Sequence, residues 1–184
     1  FGIGLSSFKK KKTVLTLHWV RNGFLRQLSA KMICKQVDTA VVHSAFMKKQ
    51  LCNLGVKNVV HVEYPCFDQS IKPDKAEACA YWGIATDIPT IVCIGNTRYD
   101  KGLDILLDAL QRAEHPFQLL ICGKEEAFDR SFIEEKIRPF ADRVKLCLHY
   151  LSEEELSNAL SASDIIALPY RRSFNGASGP LGEG

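Results

Sequence analysis

Thr90-Ile91-Val92-Cys93-Ile94-Gly95-Asn96-Thr97-Arg98-Tyr99-Asp100-Lys101-Gly102-Leu103-Asp104-Ile105-Leu106-Leu107-Asp108-Ala109-Leu110 is the stretch whose reading decides the fold. Thr90 to Ile94 is apolar and β-branched, which predicts a buried strand. Gly95 to Asp100 is a polar loop. Leu103, Leu106, Leu107 and Leu110 then fall at i, i+3, i+4 and i+7, the stripe of a helix lying on a sheet. The same alternation continues downstream. Phe117–Cys122 reads as a strand ending at Gly123, and a helix follows around Arg130–Arg138. Val144–Leu148 is a further strand. Ser152 and Glu155 form a capping box for a helix running to about Ser161, and a strand over Asp164–Leu168 stops at Pro169. Strands alternating with helices at this spacing predict right-handed βαβ units and a parallel sheet.

Upstream the pattern is similar and less regular. Val14–Leu17 predicts a strand with His18 at its C-terminal end. Arg21–Gln36 is helix-like, with Leu25, Leu28, Met32 and Ile33 along one face. Thr39–Val42 is the next strand. Ser44 is a suitable N-cap for a helix with Phe46, Met47, Leu51 and Leu54 as its inward stripe and Gly55 after its end. Val56–Val62 returns as a strand. Pro65, Pro73 and Pro89 mark a different segment, with one short helix around Asp74–Trp82. The expected organisation is therefore two incomplete Rossmann-like α/β domains, over residues 1–63 and 89–184, joined by a connection over 64–88.

Of the 184 residues, 46% are apolar and 24% charged, the balance of a globular protein with a real core. The net charge is only +3, and part of the positive excess sits in the run Lys9–Lys12, so nucleic acid is not an expected partner. Solvated surface is the plainer reading of that run, and weak attraction to an anionic membrane the lesser one. Seven cysteines are scattered without a C-x-x-C pair, which fits free thiols in a reducing cytosol better than a zinc site or a disulfide scaffold. No signal peptide or membrane span is apparent. The chain opens at Phe1 and closes inside what reads as the start of a helix, so a partial chain is expected.

Ligands of parallel sheets sit beyond the carboxyl ends of the strands, and two unusual segments fall there. In Gly95–Gly102, Arg98 can grip a phosphate bidentately and Lys101 can add a point charge. A cation at a helix N-terminus costs ~0.3–1 kcal/mol against the helix dipole, so Lys101 in the first turn of the helix implies an anion there. The alternative is a surface loop with two ordinary basic residues. In Pro169–Leu181, Ser178 suits an N-cap, Pro180 the first helical turn and Gly179 a close ligand approach. That predicts a second helix N-terminus at the same crevice, or else a flexible loop before a helix. His43, His61, His115 and His149 show no metal spacing and read as structural or surface residues. Gly2-Ile3-Gly4 lacks the third glycine of a dinucleotide fingerprint.

A family resemblance rests on several of these residues together. They are Thr16 and His18, the stretch Ala40-Val41-Val42-His43-Ser44-x-Phe46-Met47-Lys48, and Arg98-Tyr99-Asp100-Lys101-Gly102-Leu103-Asp104. Ser163-Asp164-Ile165-x-x-Leu168-Pro169, followed by Ser178-Gly179, completes the set. In order and spacing they resemble the family 4 glycosyltransferases, which have two Rossmann-like domains facing each other across a cleft. The resemblance implies transfer of a sugar from a nucleotide-diphosphate sugar, with retention and no obligatory metal or other cofactor. Residues 1–63 would be the end of the acceptor domain and 89–184 the start of the donor domain, in a fragment inactive by itself. Arg98 and Lys101 would bind the donor diphosphate, and Ser178, Gly179, Pro180 and Leu181 would form the donor-binding loop, with the amides near Gly179 to Leu181 contacting the donor. His18 would face the donor sugar as the catalytic residue. A saccharide or lipid-linked acceptor and a cytoplasmic location, with peripheral membrane association at the inner face, are implied as well. The sequence departs from the family pattern where Asn96, and not an arginine, follows Gly95, and Glu183 receives no role. A nucleotide-sugar epimerase of the same architecture and a non-catalytic α/β binding module remain as alternatives.

Overall fold

The computed structural model describes residues 11–20, 23–63, 72–174 and 178. They divide into two compact units, one carrying the first three strands and the other the last four. The first unit runs β1 (Val14–Leu17), α1 (Phe24–Cys34), β2 (Thr39–Val42), α2 (Ala45–Asn53) and β3 (Val59–His61). Its sheet is parallel, in the order β1-β2-β3. Val42, Met47 and Leu51, all fully buried, anchor its core together with Ala40, Val56 and Val59.

Three features of this unit differ from the sequence reading. The face of α1 bearing Leu25, Leu28 and Met32 is exposed among the described residues. The helix is seated instead through Ala30 and Cys34. Phe46 is likewise 59% exposed, leaving Met47 and Leu51 to fill the inward side of α2. The strand expected from Val56 starts only at Val59. Gly55 (φ 81°) donates to Cys52 and Val56 N–H reaches back to Leu51 O at 3.1 Å, so Val56 closes the end of α2 in place of pairing in the sheet.

The second unit runs α3 (Lys75–Trp82), β4 (Thr90–Ile94), α4 (Leu103–Leu110), β5 (Gln118–Cys122), α5 (Arg130–Ile137), β6 (Val144–Cys147), α6 (Glu153–Ala162) and β7 (Ile165–Ile166). Its four strands are all parallel, in the order β6-β5-β4-β7. Helices cover both faces, so the central strands are apolar on each side. Leu119 and Ile121 of β5 pack with Leu103, Leu107, Ile133 and Ile137 from α4 and α5. Leu120 and Cys122 pack with Ala78, Cys79, Ala159 and Ala162 from α3 and α6. The capping box forms as read from the sequence: Ser152 Oγ accepts from Glu155 N–H while Glu155 Oε2 accepts from Ser152 N–H. The six described cysteines are free. No helix among the described residues is long and apolar enough to cross a membrane.

Asp164 joins three elements of this unit. Its Oδ2 accepts from Thr90 N–H at 2.8 Å, its own N–H donates to Thr90 O, and its Oδ1 pairs with Lys75 Nζ at 2.5 Å. The Lys75 ammonium, followed by the Thr90 amide, holds its carboxyl below the ordinary carboxylate range. Such a lowered group stabilises the fold above its unfolded pKa and loses that contribution as pH falls through its folded pKa. Asp164→Asn is therefore expected to lower the melting temperature at neutral pH. It should also make stability fall less steeply with acidification, as followed by thermal denaturation across the acid range.

Candidate functional site

The loop after β4 is held in place by one buried side chain. Thr97 is 3% exposed. Its hydroxyl donates to Phe128 O at 2.6 Å and accepts from Glu126 N–H at 2.8 Å. Its amide donates to Lys124 O, and its carbonyl accepts from the amides of Ala127 and Phe128. The loops after β4 and β5 are thereby one hydrogen-bonded unit. Asn96 adds a bond from Nδ2 to Glu126 Oε1 at 2.6 Å.

Arg98 and Lys101 stand on this frame. Lys101 does not occupy the first turn of α4. It ends a short 3₁₀ turn, Tyr99–Lys101, that Gly102 (φ 71°, ψ 29°) separates from the helix. The first turn of α4 holds Asp104, so the dipole-mismatch argument for an anion at that helix end does not apply. What the structure shows instead is desolvation. The Lys101 amine lies against Gly95, where a β-carbon would sit 2.2 Å from Nζ, and 5.6 Å from the centre of the Tyr170 ring. Burial, and then the neighbouring positive charge of Arg98, push the Lys101 ammonium below its ordinary pKa. Arg98 turns its fork onto Asp100, with Nε 3.0 Å from Oδ1 and Nη2 2.5 Å from Oδ2.

The loop after β7 packs on the same 3₁₀ turn. Pro169 O touches Gly102 so closely that a β-carbon there would stand 2.1 Å from it. Arg171 N–H donates to Asp100 O, and Arg171 Nε donates to Tyr99 O at 2.9 Å. Its Nη2 pairs with Asp104, and its guanidinium stacks 4.0 Å from the centre of the Tyr99 ring. The sequence reading assigned no role to Thr97 or Arg171. Their partners lie far along the chain, so no local spacing exposes them.

Of the remaining expected residues, Ser178 is half-buried, while Gly179, Pro180 and Leu181 lie outside the described residues, as does Glu183. In the first unit, exposed His18 follows β1 and its ring lies 5.3 Å from that of His43, whose Nδ1 is 3.0 Å from Val62 O. Elsewhere in the second unit, the ligand atoms of Cys147, His149 and Glu155 gather within 4.8 Å of one another, a grouping that the sequence spacing did not disclose.

Replacing the Thr97 hydroxyl by a methyl leaves the buried Phe128 carbonyl and Glu126 amide without their partner, at a cost of ~1–3 kcal/mol. Thr97→Val is expected to lose about that much stability in urea denaturation, and Thr97→Ser to stay near the parent. Gly102→Ala should cost more than ~1 kcal/mol, because a left-handed backbone and a rigid carbonyl both oppose the side chain.

Solved structures share this fold. Sucrose-phosphate synthase from Thermosynechococcus elongatus superposes with a TM-score of 0.71 at 20% identity, over 90% of this chain and 47% of its own. HepE from Anabaena, in complex with UDP and glucose, gives 0.72 at 16% identity, over 89% and 48%. The pneumococcal O-GlcNAc transferase GtfA, in complex with UDP and GlcNAc, gives 0.67 at 14% identity, over 88% and 33%. The chain thus spans about half the length of the first two, and its parallel sheets flanked by helices resemble the GT-B glycosyltransferase fold. No curated protein matches it by sequence. The family described as glycosyl transferases group 1 does match, over residues 88–183, just over half of the chain and including the whole β4-to-β7 frame. On that match, the chain belongs to the group 1 glycosyl transferases.

Proposed function

We propose that this chain carries the diphosphate-binding half of a retaining family 4 glycosyltransferase. Such an enzyme moves a sugar from a nucleotide-diphosphate sugar to a saccharide or lipid-linked acceptor, in the cytoplasm or at the inner face of its membrane. One observation supports the reading above the others. The Lys101 amine is largely withdrawn from water against Gly95 and lies under the repulsive field of Arg98. Asp100 and Glu126 attract that ammonium, yet burial and Arg98 outweigh them, so a further anion is favoured there. A diphosphate supplies that charge, and its lost hydration is replaced by donors already in place. Asp100, now paired with Arg98, would share or yield the guanidinium when the anion arrives.

The chemistry that follows is leaving-group electrostatics. As the bond from the anomeric carbon to the donor oxygen lengthens, negative charge grows on the departing diphosphate, where Arg98 and Lys101 stabilise it. Arg171, by stacking on Tyr99 and pairing with Asp104, keeps the loop after β7 on the 3₁₀ turn that carries Lys101. His18 is carried forward from the family resemblance as the residue that contacts the transferred sugar. Ser178 to Leu181 are carried forward as the donor-contacting loop. The resemblance assigns no metal to the transfer. HepE was solved with UDP, which makes UDP the first nucleotide to test here. Epimerisation gains no support from the site. Asp100 and Asp104 are each engaged by an arginine, and Glu126 accepts from Asn96.

Calorimetric titration of the chain with UDP tests the phosphate contacts. Arg98→Ala and Lys101→Ala should each weaken binding at least ~10-fold, the loss of a charged hydrogen bond of ~1.5–3 kcal/mol. Unchanged affinity in both variants would remove the assignment. The pH dependence supplies a separate check. The free-state ammonium of Lys101 is lowered and a bound anion raises it, so affinity should fall as pH rises through the free-state value. Lys101→Arg, which cannot lose its charge, should flatten that alkaline decline in the same titration.

A further inference from the structure

Cys147 is the last residue of β6, His149 lies two residues beyond it, and Glu155 is in the first turn of α6. Cys147 Sγ is 3.5 Å from His149 Nε2, Nε2 is 2.8 Å from Glu155 Oε1, and Sγ is 3.9 Å from the same oxygen. A tetrahedral zinc ion binds sulfur at about 2.3 Å and nitrogen or oxygen at about 2.0–2.2 Å, which places ligand atoms roughly 3.3–3.7 Å apart. Shifts of about half an ångström would bring this triangle onto that geometry. Glu155 is held for the purpose by its other oxygen, since Oε2 accepts the Ser152 amide at 2.8 Å in the capping box and leaves Oε1 facing the thiol and the imidazole. A hydrogen bond between His149 and Glu155 accounts for their contact alone. It does not account for a thiol within reach of both.

We propose that Cys147, His149 and Glu155 together bind one divalent transition-metal ion of the zinc class. A thiolate, an imidazole and a carboxylate suit zinc, whereas magnesium and calcium select oxygen ligands alone. Cys147 is buried and His149 largely exposed, so three protein ligands close the inner side and a water completes the outer one. On binding, the Cys147 thiol loses its proton to solvent and the sulfur–metal bond takes its place. The ion would tie the end of β6 to the start of α6, adding to the apolar packing of Cys147 with Ala159 and Ala162.

Cobalt(II) titration of the reduced 184-residue chain, with zinc as competitor, tests the site. The expected result is a near-ultraviolet sulfur-to-cobalt charge-transfer band that saturates at one equivalent, is displaced by zinc and is absent from Cys147→Ser. His149→Ala removes an exposed side chain, and Glu155→Gln retains an oxygen for the capping box. Each should weaken cobalt affinity at least ~10-fold, since even outer-shell partners of a metal contribute that much. A band that persists in Cys147→Ser would place the metal on another thiol and overturn the proposal. So would unchanged affinity in both His149→Ala and Glu155→Gln, which decides the matter even if the cysteine variant fails to fold. UDP titration reads the diphosphate site independently, so the two assignments can fail separately.

Discussion

Five hydrogen bonds at one buried threonine hold the working end of the second unit together. Thr97 bonds through its hydroxyl, amide and carbonyl to the segment Lys124–Phe128, joining the turn after β4 to the turn after β5. Neither loop has sheet partners of its own at this point, and a buried backbone group left unpaired is costly. The threonine supplies those partners and so fixes where the chain emerges from the sheet. Everything that follows, from Arg98 to Gly102, inherits its direction from that anchor.

Charge is then distributed on a rigid base. Arg98 with Asp100, and Arg171 with Asp104, are mixed pairs in which each guanidinium is largely shielded from solvent. Lys101 is the exception. It is withdrawn from water, it faces Tyr170, and Arg98 opposes its charge. A pocket that shelters a cation under these conditions is poised to gain from a polyanion, because the penalty for desolvating the amine has already been met in folding. Arg171 adds a mechanical role. By stacking on Tyr99 and bonding its carbonyl, it makes the loop after β7 and the 3₁₀ turn move as one piece.

The doubly covered sheet explains why such loops can be specialised. Leu119 and Ile121 face one helical layer while Leu120 and Cys122 face the other. Asp164 ties β7 to β4 and to α3 at the opposite end of the strands. Stability resides in the layers and at that end, which leaves the carboxyl ends of the strands free to hold polar and strained groups such as Gly102 against Pro169.

The sequence by itself determined the elements and their order. The leucine spacing of α4, the capping box of α6 and the apolar strands β4 and β5 all depend on neighbours within a few residues, and local periodicity records such neighbours. It also singled out Gly95–Gly102 as the chemically unusual loop. Where a residue's surroundings come from afar, the sequence misled or was silent. It assigned Phe46 to the interior and lined Leu25, Leu28 and Met32 along one apolar face, although all four are exposed, and it put Lys101 into the helix that Gly102 starts one residue later. Only the tertiary structure brought Thr97 to Phe128, Arg171 to Asp104 and Cys147 to Glu155. For Thr97 and Arg171 the physical reason is that parallel strands are joined through intervening helices, so groups that meet at the sheet's end are separated along the chain by a span in which no repeating pattern is preserved. Cys147 and Glu155 are closer in sequence, but the turn between strand and helix that brings them together follows no period either.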